Sequence, residues 1–177
     1  QILDQIVVKE DEDTRFGKGE GYVSDEIFFK LLGADRLVSL DVSGYEKCDI
    51  IHNLNMPIPK ELEGQFDFIV DGGTFDHLFD IRVAFENVVR LLKPGGRVFQ
   101  WNAASNFTGK AYLCFGPDFF FDYYILNCFD DCKVYIAVTD RQACEQWDMY
   151  EFLGEDYYGY FRSPLMQLVI VLAEKGI

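Results

Sequence analysis

This sequence predicts an α/β fold, a mostly parallel, doubly wound sheet with an antiparallel last strand, on three observations. Short apolar runs rich in β-branched and aromatic residues recur along the chain at residues 37–42, 66–72 and 97–102. A helix-periodic segment separates the last two, and strands alternating with crossover helices imply a parallel sheet covered on both faces. Two late apolar runs, residues 133–138 and 165–174, lack an obvious crossover helix between them, which suits an antiparallel pair closing the sheet.

In chain order, the glycine-rich stretch RFGKGEG at residues 15–21 precedes an amphipathic run, as in a loop that cradles a nucleotide-type cofactor. The residues before it, EDEDTR, are highly charged where such a loop normally follows a buried apolar strand. LVSLDV (37–42), FDFIVDG (66–72) and RVFQWN (97–102) read as strands. Between the last two, Ile81, Phe85, Val88 and Leu92 recur at spacings of four, three and four, one apolar helical face. Asp80 caps its first turn. Lys93, Pro94, Gly95 and Gly96 end it, because proline cannot continue a helix and glycine supplies the backbone angles of a tight turn. PDFFFDYYILN (117–127) reads as a helix, KVYIAV and LMQLVIVLAE as strands, and the Tyr-rich residues 140–164 as irregular.

The chain has 177 residues, 49% of them hydrophobic, which fits one domain, residues 1–177, with a real core. A formal net charge of -14 argues against binding nucleic-acid phosphates or an anionic membrane surface, and points to a small-molecule partner. Five scattered cysteines read as reduced thiols of a cytoplasmic protein. Cys128 and Cys132 do not make a metal site, since the chain has only two histidines, His52 and His77, and no second close cysteine pair. The most apolar run, residues 165–173, is too short to span a bilayer, so a soluble chain is expected. Nothing in the sequence sets the oligomeric state.

In open parallel sheets ligands bind at the carboxyl ends of the strands, so the residues there carry the functional reading. Asp41 ends one strand candidate about 20 residues beyond Gly21, the distance at which a ribose-binding acid follows a glycine loop. The spacing Gly17-x-Gly19-x-Gly21 differs from the dinucleotide pattern, because Tyr22 stands where the third glycine belongs. A nicotinamide cofactor is therefore disfavoured.

From Gly17 to about Val138 the chain resembles the class I S-adenosylmethionine-dependent methyltransferases, with GKGEG, LDVSG, DIIHNLN, FDFIVDGGTFDHLFD and LLKPGG in the family's order. The resemblance implies a Rossmann-like, methyltransferase-like fold and S-adenosylmethionine as cofactor. It implies that Gly17, Gly19 and Gly21 approach the methionine moiety, that Asp41 binds ribose, and that Asn53 and Leu54 border the adenine. Asp71 and Gly72 would lie beside the sulfonium, and Asp76 and His77 stand where family members often place an acid and a histidine, with His77 the candidate base. SNFTGKAYLCFGPDFFFDYYILNCF (105–129) also resembles a subgroup associated with glycan biosynthesis, though Lys110 and Ala111 replace its His-Gly pair, and a sugar hydroxyl is the acceptor this suggests.

One departure leaves two readings open. Members of the family usually place an acid two residues before the first glycine, at the end of an apolar strand; here Arg15 stands there, after Glu10, Asp11, Glu12 and Asp13. Either residues 5–8 supply a shifted strand, or the segment is altered and cofactor affinity falls. The chain is then an active small-molecule methyltransferase, the favoured reading, or a catalytically inactive domain serving as a binding or regulatory partner.

Overall fold

The computed structural model describes residues 25–139, 147–154 and 162–177. The chain divides into two compact units, Gln1–Ile51 and His52–Ile177. Gly17, Gly19, Gly21, Arg15 and the shifted-strand candidate at residues 5–8 lie outside the described residues. Among the described residues no helix is long and apolar enough to cross a membrane.

In the first unit, helix α1 (Asp25–Leu31) places Asp25 and Glu26 in its first turn, where the helix dipole favours negative charge. Gly33, at φ 95°, ends it in the left-handed conformation that costs glycine nothing. Two short parallel strands follow, β1 (Leu40–Asp41) and β2 (Ile50–Ile51). The strand expected over residues 37–42 is thus reduced to two residues. Side chains displace the ladder on its N-terminal side: the Ser39 backbone N–H donates to Asp49 Oδ2 at 2.8 Å, and Asp49 N–H donates to Ser39 Oγ at 3.1 Å.

The second unit holds a five-stranded sheet in the order β3-β4-β7-β5-β6. Its strands are β3 (Phe66–Gly72), β4 (Leu92–Ser105), β5 (Phe129–Thr139), β6 (Trp147–Glu151) and β7 (Met166–Lys175). β3 and β4 pair in parallel, whereas β7 is antiparallel to both β4 and β5, and β6 is antiparallel to β5. The antiparallel last strand is as expected; the mostly parallel sheet is not what this unit shows. The reason is positional. β3, β4 and β5 do run in one direction, joined through helices α2 (Ile81–Leu91) and α3 (Pro117–Leu126), but β7 inserts between β4 and β5 and converts their would-be parallel pairing into two antiparallel ones. β6 lies inside the segment expected to be irregular; it pairs Trp147–Glu151 with Thr139–Tyr135 while all five of its residues stay exposed, so no buried periodicity marks it.

Helix α2 carries Ile81, Phe85 and Val88 as its periodicity predicts, but Leu92, expected on the same face, is instead the first residue of β4. Asp80 caps the helix by accepting from Val83 N–H at 3.2 Å, and its last residue, Leu91, leads directly into β4. Residues 93–96 then bulge out opposite Asp67, between the pairs Phe66↔Leu92 and Phe68↔Arg97. A side chain on Gly96 would meet the Lys93 carbonyl at 2.9 Å and the Phe66 carbonyl at 3.1 Å, so only glycine fits.

Phe85 of α2, 0% exposed, meets the rings of Phe119, Phe120, Tyr123 and Tyr124 of α3 at centroid distances of 4.8–6.1 Å. Burying such a side chain contributes about 1.5–3 kcal/mol, with roughly 0.5–1.5 kcal/mol more per favourable ring pair. That contact places both helices on one face of the sheet, over Val98, Val134, Val169 and Val171. The expected covering of both faces is therefore not found within this unit, where Phe68, Val70, Trp101 and Leu172 on the other face are exposed.

Candidate active site

Three aspartates, at the ends of β1 and β3 and in the turn after β3, have different surroundings. Asp41, at the end of β1, closes a local turn: its Oδ1 accepts from Ser43 N–H at 2.7 Å and Ser43 Oγ at 3.1 Å. No partner of its Oδ2 is found among the described residues. Asp71, the penultimate residue of β3, is 5% exposed. Its Oδ1 accepts from Thr74 N–H at 2.8 Å, and its Oδ2 accepts from Asn102 Nδ2 at 2.7 Å and Gln100 Nε2 at 3.1 Å. The Tyr124 hydroxyl in turn donates to Gln100 Oε1, tying helix α3 to the strand end. Burial holds the Asp71 carboxyl above its ordinary range, against the opposing pull of these donors.

Asp76 lies in the 3-10 turn Phe75–His77 that follows β3. It is 6% exposed, and its Oδ1 is buried with no hydrogen-bond partner among the described residues, while the Ala103 backbone N–H also bonds to the carboxyl. Its backbone is held firmly: Asp76 N–H donates to Asn102 Oδ1 at 3.2 Å, and its carbonyl accepts from Tyr112 N–H at 2.9 Å and Leu113 N–H at 3.0 Å. His77 Nε2, on a half-exposed ring, stands 3.6 Å from the unpaired oxygen. Desolvation raises the Asp76 pKa, with His77 opposing it more weakly. A buried carboxylate oxygen without a donor carries a free-energy cost, and such groups concentrate at sites that act on a ligand.

The two glycines before this turn have different causes. A side chain on Gly72 would meet the Trp101 ring at 3.3 Å. Gly73 adopts φ 91°, a left-handed conformation that glycine takes without strain; a side chain there would lie 3.8 Å from Asp76 Oδ1 and 3.9 Å from Trp101 Nε1.

Asn53 and Leu54 have local roles as well. Asn53 Oδ1 accepts from Asn55 N–H at 3.0 Å and from Asn55 Nδ2 at 2.9 Å, and Asn55 Oδ1 accepts from the backbone N–H groups of Phe79 and Asp80 at 2.9 and 2.8 Å. Leu54 packs against the core, and its carbonyl accepts from Asn87 Nδ2 at 3.2 Å. His52 Nε2 is bonded to the Met56 carbonyl at 3.2 Å, a structural contact.

The structure thus brings Asp71, Gly72, Asp76 and His77 together at the ends of β3 and β4. Sequence reasoning missed Gln100, Asn102 and Trp101. The alternation Val98, Gln100, Asn102 in one strand was the available signal, since it puts two amides on the buried face. A shallow depression of about 140 Å³, lined by Arg97, Asp131, Lys133, Leu172, Ala173 and Glu174, lies at the opposite end of β4; Arg97 Nε there donates to Glu174 Oε2 at 2.7 Å. Among the described residues no three His, Cys, Asp or Glu side chains converge as metal ligands. Burial pushes the Cys132 thiol up to about 11, which keeps it protonated and unreactive.

No curated protein matches the chain. A solved structure described as a SAM-dependent methyltransferase, possible histamine N-methyltransferase, from Thermotoga maritima aligns at 18% identity with a TM-score of 0.46. The alignment covers 64% of this chain and 57% of that one, so the chain spans little more than half of the protein it aligns with. Residues 16–100, a little under half of the chain and continuing across the boundary between its two units, match the family described as a methyltransferase domain.

Proposed function

We propose that the chain is an S-adenosylmethionine-dependent methyltransferase acting on a small molecule, with a sugar hydroxyl as the acceptor the sequence favours and the cytoplasm as its setting. The observation that carries this reading is the buried, unpartnered Asp76 Oδ1 beside His77, at a strand end inside the span that matches the methyltransferase family.

The residues present fit the cofactor. Asp41 keeps one carboxylate oxygen for ribose hydroxyls, Gly17, Gly19 and Gly21 are the candidates for the methionine end, and Asn53 with Leu54 is the candidate border of the adenine. Gly72 and Gly73 lie against the Trp101 ring, on a turn that Asp71 holds through Thr74. When bound, S-adenosylmethionine supplies a methyl group already activated on a sulfonium. What remains for the protein is to align the acceptor and to take its proton. Asp76 and His77 do the second: the acceptor O–H proton passes to the carboxylate or the imidazole, and its electron pair stays on the acceptor oxygen. Raising the Asp76 pKa makes that carboxylate a stronger base than an exposed one.

Calorimetric titration of the full chain with S-adenosylmethionine tests the reading. Micromolar binding is expected. Absence of binding would reject it in favour of an inactive, methyltransferase-like binding domain. Arg15→Glu separates the two states of the first motif: tighter cofactor binding in the variant would mean that Arg15 opposes the cofactor's ammonium group, and unchanged binding that another acid serves it.

A further inference from the structure

We infer that Asn102 is a positioning residue of this site: its amide holds Asp76 inside the turn after β3, which leaves the imidazole of His77 as the group that meets the acceptor. This rests on the methyltransferase reading and divides a role given above to Asp76 and His77 together.

Asn102, 1% exposed near the end of β4, grips the site at both ends of one side chain. Its Nδ2 donates to Asp71 Oδ2 at 2.7 Å, and its Oδ1 accepts from Asp76 N–H at 3.2 Å. The two partners need opposite chemistry, a donor for the carboxylate and an acceptor for the N–H, and a primary amide supplies both. Aspartate in its place would set a further carboxylate against Asp71, and leucine, of similar size, would leave both partners unpaired. The next residue completes the grip. Ala103 N–H bonds to the Asp76 carboxyl, and the Ala103 carbonyl accepts from Phe115 N–H at 2.8 Å. Strand β4 thus holds Asp76 through a side chain and through its own backbone.

That grip separates Asp76 from His77 in reach. Asp76 Oδ1 is fully buried, so no group from solution touches it, whereas the His77 side chain is 46% exposed. His77 Nε2 stands 3.6 Å from Asp76 Oδ1, an ion-pair distance longer than a hydrogen bond. The Tyr112 ring meets the imidazole edge-on at 5.1 Å, and Tyr112 N–H donates to the Asp76 carbonyl at 2.9 Å. Both neighbours of the imidazole are therefore anchored to the same turn.

The chemistry follows from this division. The acceptor O–H bond breaks, its proton bonds to the imidazole nitrogen that does not face Asp76, and its electron pair stays on the oxygen that takes the methyl group. The imidazolium so formed is stabilised by the carboxylate behind it, which keeps the ring oriented and does not itself take the proton. Two charged groups face Asp76: desolvation raises its pKa most, His77 on its own turn lowers it, and Asp71 on β3 raises it.

Two measurements on the full chain test this. In the first, diethyl pyrocarbonate modifies accessible imidazoles, and carbodiimide couples glycine ethyl ester to accessible carboxylates. Peptide mass spectra should show His77 modified, while Asp76 couples at least about tenfold more slowly than the exposed Asp122 of α3. In Asn102→Leu, Asp76 should couple at a rate approaching that of Asp122. In the second, carboxyl-carbon NMR follows the titration of Asp76, assigned through Asp76→Asn. Its midpoint should move upward in His77→Gln, because a charge that lowers it is gone, and should move less when Asn102→Leu is also present. If Asn102→Leu does not fold, Asn102→Ser, which keeps a shorter donor and acceptor, takes its place in both measurements with an intermediate effect. Asp76 coupling as fast as Asp122 in the wild type, an unmodified His77, or a response to His77→Gln that the Asn102 variants leave unchanged would overturn the inference. S-adenosylhomocysteine titrated into the wild type separates the two claims. If it binds while Asp76 couples freely, only the positioning role falls; if it fails to bind while both measurements come out as expected, the methyltransferase reading falls.

Discussion

Asp41, Asp71 and Asp76 are the same residue type at or just after the ends of strands, yet each is held differently. The Asp41 carboxyl is tied to its neighbour Ser43 and stays partly exposed; Asp71 is buried with both oxygens engaged; Asp76 is buried with its Oδ1 unpartnered among the described residues, although the Ala103 backbone N–H bonds to its carboxyl. The difference teaches what each position is built for. Donors on both oxygens make Asp71 a structural post for the turn that follows it. Asp76 keeps one buried oxygen without a donor among the described residues, and Asp41 keeps one oxygen outside its local turn, which are the positions the proposed function uses.

The comparison breaks most readily at Asp71. Asp71→Ala leaves the Thr74 N–H and the Gln100 and Asn102 amides unpaired in a buried space, so a loss of about 3–5 kcal/mol in urea-unfolding stability is expected. A loss below 1 kcal/mol would show that these donors find water instead. For Asp41→Ala the expected loss is in affinity rather than in stability: S-adenosylhomocysteine should bind about 1.5–3 kcal/mol more weakly, the range for hydrogen bonds involving a charged group. Equal affinity in calorimetry would reduce Asp41 to a turn residue.

Tyr124→Phe probes the support behind Asp71. Removing the hydroxyl that donates to Gln100 Oε1 should cost about 1 kcal/mol in thermal unfolding, with a smaller effect on cofactor binding than Asp41→Ala.

Asp76→Asn has the smallest expected effect and the opposite sign. Because burial raises the folded-state pKa above the ordinary value of 3.8, protonation favours the folded state, and that contribution is complete below 3.8 and lost as pH rises through the folded-state pKa. The amide carries no such charge, so the variant should gain stability relative to the wild type as pH rises through that pKa, with the gain vanishing toward pH 4. Melting curves across that window check it; a variant less stable than wild type at pH 7 would mean that the carboxylate has a cationic or donor partner after all. Methyl transfer, by contrast, should fall.

Much of the local structure was legible in advance, for reasons visible at particular residues. Ile81, Phe85 and Val88 share a helical face whatever they pack against, and Asp80 caps that helix through a bond only three residues long. The run FDFIVDG forms β3 as read, and residues 93–96 stop the helix because proline and glycine act through their own backbones. Asp76 and His77 could be singled out in advance because they follow a recognisable strand by a few residues.

What the sequence determined by itself was therefore whatever is encoded within about one turn or one strand: α2 and its cap, β3, the glycine stop, and which acids end strands. Only the tertiary structure decided that β7 inserts between β4 and β5, that β6 pairs at the edge, and that both helices of the second unit share one face through Phe85. It also decided the fates of the acids. Asn102 reaches Asp71 across 31 residues of chain and Asp76 across 26, and among the described residues no donor reaches Asp76 Oδ1. Side-chain hydrogen bonds and strand partners at such separations depend on which surfaces the packed chain brings together, and a periodicity of two or 3.6 residues carries no record of that.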